Sequence, residues 1–371
     1  MNNKHKQRQL ESPFEYLRRK DGSVFETETI NNWYKARAFV LDKLKEVAFG
    51  VGSKQHLHVV LTGDSPRMLA VVRQIALSAH YVNFDEEAQD GMKNRTVITL
   101  VSRRATIIEE LQQEEYLCNL PKICKIQIND LKPERTDSYV DIELHIVEAW
   151  KPDDNVCIVI SEEEVNVFFD SEVAASACKI DTRKAVLASR IYNLGMLIDN
   201  LPYEDVHNPH RYALALDSFQ YDFLRRKMEP LVDDAQWKGN LNTVKGGLSN
   251  IFCSDCFETR AKEMALSMGG LGRRENPWEH YDEALSKSEH ARWVADKLIM
   301  GYRPLNERER FCEEGLFGKE KYQYRKWLKN SAQDPVHIDL CSYRDLRRID
   351  PESLKYDSFL MLSIPWIKAA K

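Results

Sequence analysis

Trp293 and Lys297 stand four residues apart, so on a helix they lie one above the other, a flat ring beside a cation. Such a pair suits a ligand that carries an aromatic base and a phosphate, the base stacking on the ring and the charge pairing with the ammonium. A half-buried tryptophan with a lysine stem laid over it has the same spacing, and spacing alone leaves the two readings open. Glu289 and Arg292 fall on the same side as the pair. The stripe Ala291, Val294, Ala295, Leu298 and Tyr302 faces the other way. A helix from Ser288, capped by that hydroxyl and stopped by Gly301, is the element expected to position them.

A second set of residues could hold an anion. Leu57 to Thr62 is a short β-branched run, Gly63-Asp64-Ser65-Pro66 a tight turn, and Arg67 to His80 a helical stretch. A strand, a turn opening with Gly and a helix with Pro in its first turn begin a Rossmann-like unit, with backbone N–H groups and the positive helix end aimed at one spot. The dinucleotide fingerprint is incomplete, because Ser65 and Met68 occupy the next two glycine positions. The turn therefore reads equally as scaffold and as nucleotide site. Thr96 to Val101 is the next buried strand, and it ends in Ser102, Arg103 and Arg104 where an NAD site would carry an acid. Two arginines there favour a phosphorylated ribose or another phosphate-bearing ligand, or form a solvated basic loop. The candidate cofactor residues are thus Gly63, Asp64, Ser65, Arg67, Ser102, Arg103 and Arg104, and the candidate cofactors an adenine nucleotide or NAD(P).

Both sets need a scaffold. Ile30 to Phe49 keeps helical spacing up to Gly50 and predicts an amphipathic helix. Further strands are expected at Ile123 to Ile128, Asp141 to Glu148 and Val156 to Ser161, the last running into Glu162, Glu163 and Glu164, an acidic helix start. Lys184 to Tyr192 and Tyr212 to Leu216 read as late strands of the same sheet. The alternation predicts an α/β fold with a Rossmann-like, doubly wound, mostly parallel sheet from Leu57 to about Met268. Glycines clustered from Gly269 to Arg274 predict a linker. The expected domains are an N-terminal segment (1–50), the Rossmann-like domain (51–270) and a smaller, mainly helical domain (271–371).

The order Glu289, His290, Trp293, Gly301-Tyr302, His337-x-Asp339-Leu340, Tyr343, Leu346 and Lys355-Tyr356-Asp357 resembles the RyR domain, the repeat module named after ryanodine receptors. In that family a helix with a Trp leads into Gly-Trp, and a His-Pro-x-Leu segment follows. Tyr302 replaces that Trp here, Ile338 replaces the Pro, and the segment between Arg303 and His337 is longer. The resemblance implies an adenine-nucleotide pocket at Trp293 and Lys297; Glu289, Arg292, Tyr302, His337 and Asp339 complete the candidate ligand residues. Receptor repeats come in tandem, so a single copy implies a homodimer. The stretches HVVLTG, Ala79-His80 and TVITLVSRR resemble the TrkA-N type of Rossmann domain of potassium-uptake regulators. The joining of the two domains is similar to an architecture proposed for prokaryotic nucleotide-centred conflict systems, which implies a nucleotide sensor, bacterial and in antiviral defence.

Composition sets outer bounds. The 371 residues are 43% hydrophobic and 30% charged with a formal net charge of −5, which gives no global drive toward nucleic acid or an anionic membrane. No apolar run reaches membrane-span length and the N-terminus lacks a signal-peptide core, so the expected location is the cytoplasm. Of eight cysteines only Cys253 and Cys256 form a C-x-x-C, in a stretch read as a loop entering a helix, and no second pair stands at zinc-ribbon spacing. No G-x-S-x-G, Walker A or H-E-x-x-H set is present, which favours a binding module over an enzyme and predicts no metal. Two other classes stay open: an NADP-dependent oxidoreductase using Arg103 and Arg104, and a regulatory subunit of a cation transporter.

Overall fold

Near-continuous apolar runs make strands that are buried on both faces, and two such runs, Leu57–Thr62 and Thr96–Val101, lie inside a five-stranded sheet. The computed structural model describes residues 3–89, 92–104, 106–111, 117, 119–129, 140–151, 156–177, 180, 182–197, 244–270, 277–331, 334–362 and 364. The strands are β1 (Leu57–Thr62), β2 (Thr96–Val101), β3 (Lys125–Ile128), β4 (Ile142–Val147) and β5 (Val156–Ser161). They pair in the order β3-β4-β2-β1-β5, all parallel, with Val59 opposite Ile98 on one side and Ile158 on the other. The order reverses beside β1, so the crevice where such sheets bind ligands lies above the carboxyl ends of β1 and β5.

Helices cover the sheet. Before β1 come α1 (Asn3–Glu11) and α2 (Thr27–Leu44), and α3 (Pro66–Ser78) makes the crossover to β2. Short α4 (Ile107–Leu111) and α5 (Leu120–Ile123) follow, so Ile123, expected in a strand, closes a helix instead. After β5 run α6 (Glu162–Phe169), α7 (Glu172–Ala177) and α8 (Thr182–Leu197). The acidic start of α6 is as read, and the Ser161 hydroxyl accepts from the Glu164 N–H as its cap. The C-terminal part holds α9 (Val244–Asp255), α10 (Phe257–Gly270), α11 (Pro277–Ile299), α12 (Glu307–Glu314), α13 (Gly318–Lys329), α14 (Tyr343–Ile349) and α15 (Leu354–Leu362).

Two further expectations change, and a third falls outside the described residues. The run from Lys184 to Tyr192 is helical and belongs to α8, whose Ala185, Ala188 and Ser189 are buried at one-turn spacing. A short apolar run is ambiguous between strand and buried helix, and the alanines tip it toward helix. Tyr212 to Leu216 lies outside the described residues. The described sheet therefore ends at β5. Of the expected linker, Gly269 and Gly270 end α10 and the residues from 271 to 274 lie outside the described ones. The hydrophobic core is continuous across that point, because Val294, Leu298, Ile299 and Leu340 join the same buried cluster as Val59, Leu61 and Ile98. The longer segment between Arg303 and His337 is a helical hairpin of α12 and α13, closed at its base by a bridge between Arg303 and Val336.

Gly63, at the end of β1, has φ +131°. A Cβ there would stand 2.7 Å from Cβ of Glu162, the first residue of α6. Both the dihedral and the contact demand glycine. Gly63→Ala is expected to destabilise the fold by about 1–3 kcal/mol; an unchanged urea midpoint would contradict this account of the turn.

Candidate functional site

The residues singled out on α11 converge on one cavity of about 250 Å³. Its walls come from α8, α9, α11, the segment holding Tyr302 and His337, and α15. The helix that carries its centre starts a full three turns earlier than Ser288. Ser288 is an interior residue whose hydroxyl donates to the Leu285 carbonyl, and it caps nothing. The C-terminus is where the sequence puts it: Gly301 has φ +87°, and the N–H groups of Gly301 and Tyr302 donate back to Leu298 and Lys297 in a Schellman arrangement. That reversal swings Tyr302 onto the cavity wall.

The supposed open face of α11 is buried too. Glu289 and Arg292 are each 2% exposed, because α9 and α15 pack over them. Two charges so placed must pair. Arg292 Nε donates to both Glu289 carboxylate oxygens at 2.9 and 3.0 Å, and Nη2 donates to Oε1 at 2.6 Å. One turn on, Lys297 Nζ donates to the Ser249 hydroxyl at 3.0 Å, and that hydroxyl in turn donates to Asp296. Burial pushes the Lys297 ammonium down to about 8, against the pull of the Asp296 carboxylate.

Trp293 is an aromatic wall with company. Lys297 Nζ lies 5.7 Å from its ring centroid, the His290 ring is stacked at 5.9 Å, and the His337 ring meets it edge-on at 4.9 Å. Offsets of that size leave part of the indole toward the cavity. A ligand ring would thus share Trp293 with Lys297. Burial works against a charge on His290, but the Asp357 carboxylate and the Cys341 carbonyl outweigh it and raise the imidazole to about 10. His337 goes the other way, held neutral by burial and the cations around it. Asp339 stands behind His337, at 3.6 Å from its Nδ1, and does not line the cavity; burial and the Asp350 carboxylate raise it to about 7.

Set against family models, curated proteins and solved structures, the chain matches none. Its chemistry must therefore be argued from the geometry alone.

The turn after β1 gathers its residues but fills its own anion position. The Asp64 carboxylate accepts from the Ser102 hydroxyl and stands 3.4 Å from Arg104 Nε. Arg104 also forks onto Glu110, at 2.8 and 3.1 Å, and Glu162 sits over Gly63. Ser65 caps α3 by accepting from Met68 N–H, Arg67 pairs with Asp170 and Asn166, and Arg103 is exposed. A pyrophosphate entering this crevice would meet carboxylates on both sides, which disfavours the NADP reading. Sequence reading missed Glu162 as the obstacle, since only the sheet order brings α6 over Gly63.

The C-x-x-C pair spans the junction of α9 and α10, with Cys253 in the last turn of α9 and Cys256 the single turn residue between the two helices. Both thiols are buried, and burial raises them, Cys256 to about 12, so neither is an activated thiolate. Among the described residues no cluster of metal-ligand type occurs and no helix is long and apolar enough to cross a membrane.

Ser189, Lys245, Ser249 and Asp357 also line the cavity and were missed as site residues. Lys245 and Ser249 are one turn apart on α9, a spacing that could have exposed them; Ser189 was hidden by the strand assignment of α8.

Lys297 supplies a direct check. The folded state releases its proton at about 8 and the unfolded chain near 10.5, so between those values the unfolded state binds more protons. This group's contribution therefore makes stability rise with pH across that window. With reductively ¹³C-methylated protein, the Lys297 resonance, assigned by Lys297→Met, should titrate near pH 8; a midpoint above pH 10 would overturn the burial argument.

Proposed function

We propose that this chain is a nucleotide-binding protein whose ligand occupies the cavity between α8, α9, α11 and α15, and that it works as a sensor and not as a catalyst. The observation that carries the reading is the composition of that cavity. Trp293, Tyr302 and Tyr356 give it an aromatic side, while Lys245, Arg292, Lys297 and Lys329 outnumber the carboxylates of Glu289 and Asp357 on its lining. A ring that stacks and an anion that pairs, joined within one small molecule, satisfy both sides together. In this reading the base lies against Trp293, and Lys297 and Arg292 face the phosphate end.

The RyR-like order of residues from Glu289 to Asp357 is in keeping with this assignment, and a homodimer carrying two such cavities is the assembly we propose for it. A place in a prokaryotic nucleotide-signalling defence belongs to the same proposal, and the cavity's chemistry is compatible with it.

The test is isothermal titration with purine nucleoside mono-, di- and triphosphates. Trp293→Ala should weaken the best ligand by about ten-fold or more, since stacking on an aromatic side chain contributes about 1–3 kcal/mol per base. Circular dichroism should report an unchanged helix content. Equal affinities of the parent and Trp293→Ala would remove Trp293 from the site, and no binding by any member of the series would end the nucleotide reading.

A further inference from the structure

The polar end of the cavity draws on α8 and α9 as well as on α11, and its chemistry is narrower than a general affinity for anions. Two residues on its lining, 2% and 1% exposed, each carry a buried group with no hydrogen-bond partner among the described residues: Arg292 Nη1 and Ser189 Oγ. The other nitrogens of the Arg292 fork, Nε and Nη2, are taken by Glu289. Nη1 is left with Asp296 Oδ2 at 3.7 Å, beyond hydrogen-bond range. A buried guanidinium N–H and a buried hydroxyl without partners are costly, and a ligand oxygen supplied to both would remove that cost. Lys245 of α9 lines the same cavity and adds charge.

We propose that Ser189, Lys245 and Arg292 form a subsite for a terminal phosphomonoester, so that the ligand is a nucleoside monophosphate. The base half of this assignment rests on the nucleotide reading above; the phosphate half stands on the unpartnered donors. Size agrees. The cavity of about 250 Å³ is slightly under the roughly 300–1,000 Å³ of drug-sized sites, the scale of a small ligand such as a mononucleotide. Charge agrees as well. Four cationic side chains against two carboxylates on the lining match a dianion, the charge a phosphomonoester approaches at neutral pH. A cyclic diester carries one charge and two non-bridging oxygens, against nearly two charges and three such oxygens on a monoester. The ligand would then join three helices, its phosphate held by Ser189 of α8, Lys245 of α9 and Arg292 of α11 and its base by Trp293 of α11.

The experiment is titration calorimetry of the full chain at pH 7 with adenosine, AMP, ADP, cyclic AMP, GMP and inorganic phosphate, for the parent, Ser189→Ala and Lys245→Met. The expected result is a monophosphate at least about ten-fold tighter than adenosine, ADP and cyclic AMP. Each variant should lose most of that advantage while its adenosine affinity stays within about two-fold. Adenosine and the monophosphates binding the parent equally, or ADP or cyclic AMP binding best, would overturn the subsite. The inorganic-phosphate arm separates the two proposals. Phosphate binding that depends on Ser189 and Lys245, with nucleotides no better than phosphate, keeps the subsite and removes the nucleotide reading. No response to phosphate or to any monophosphate removes the subsite.

Discussion

Arg260 has no exposed surface, and the way its charge is satisfied ties α11, the helix at the centre of the cavity, to the sheet domain. Its Nη1 donates to the His80 carbonyl and to Glu263, both at 2.7 Å, and its Nη2 reaches the Ser288 carbonyl at 3.3 Å. Glu263 also accepts from the Val82 N–H, and the His80 ring is held by Asp141 at the entry to β4. One guanidinium thus joins α10, the exit of α3 and the middle of α11. A fully buried ion pair tolerates no vacancy, because a missing partner leaves a bare charge in a low-dielectric interior. The knot therefore fixes where α11 lies against the sheet, and with it the direction in which Trp293 and Lys297 point. A shared hydrophobic core adds adhesion between the two parts of the chain, and the charged knot adds register.

The usual place for a ligand on such a sheet is closed by the chain's own acids. With Glu162 over Gly63 and Asp64 drawn onto Ser102 and Arg104, the positive end of α3 is already answered. The same devices that hold a pyrophosphate elsewhere serve here to staple α6 and the loop after β2 to the turn after β1. Fold and site are separable: the cavity we propose as the site lies among helices that follow the sheet.

That separation explains what was legible in the sequence. The ends of β1, β2 and β5 can be read to the residue because apolar, β-branched runs bounded by turn residues leave few alternatives. Residues 184–192 could not, since a short apolar run has no period long enough to distinguish a strand from a buried helix. Ser288 looked like a cap because a hydroxyl followed by Glu is a local signal, and nothing local reveals that the helix has already run from Pro277. Trp293, Lys297, Arg292, Glu289 and Tyr302 were found together because they share one helix and its C-terminal turn. Ser189 and Lys245 lie on helices that meet α11 only in three dimensions, and periodicity within one element carries no information about its neighbour.

The buried face of α11 also changes what its charges can do. A guanidinium on an exposed face would swing among rotamers and be screened by water, so that holding a phosphate would require ordering it first. Arg292 is already ordered by its three bonds to Glu289, and Lys297 by Ser249. Both residues line the cavity with their rotamers already held, and little side-chain entropy remains to be lost on binding. The same pairing caps the attraction, since Glu289 and Asp296 offset part of the positive field at the wall. A site built in this way gains selectivity from the positions of a few unpartnered atoms more than from net charge, and a ligand that fails to reach Arg292 Nη1 leaves the largest desolvation cost in the cavity uncorrected.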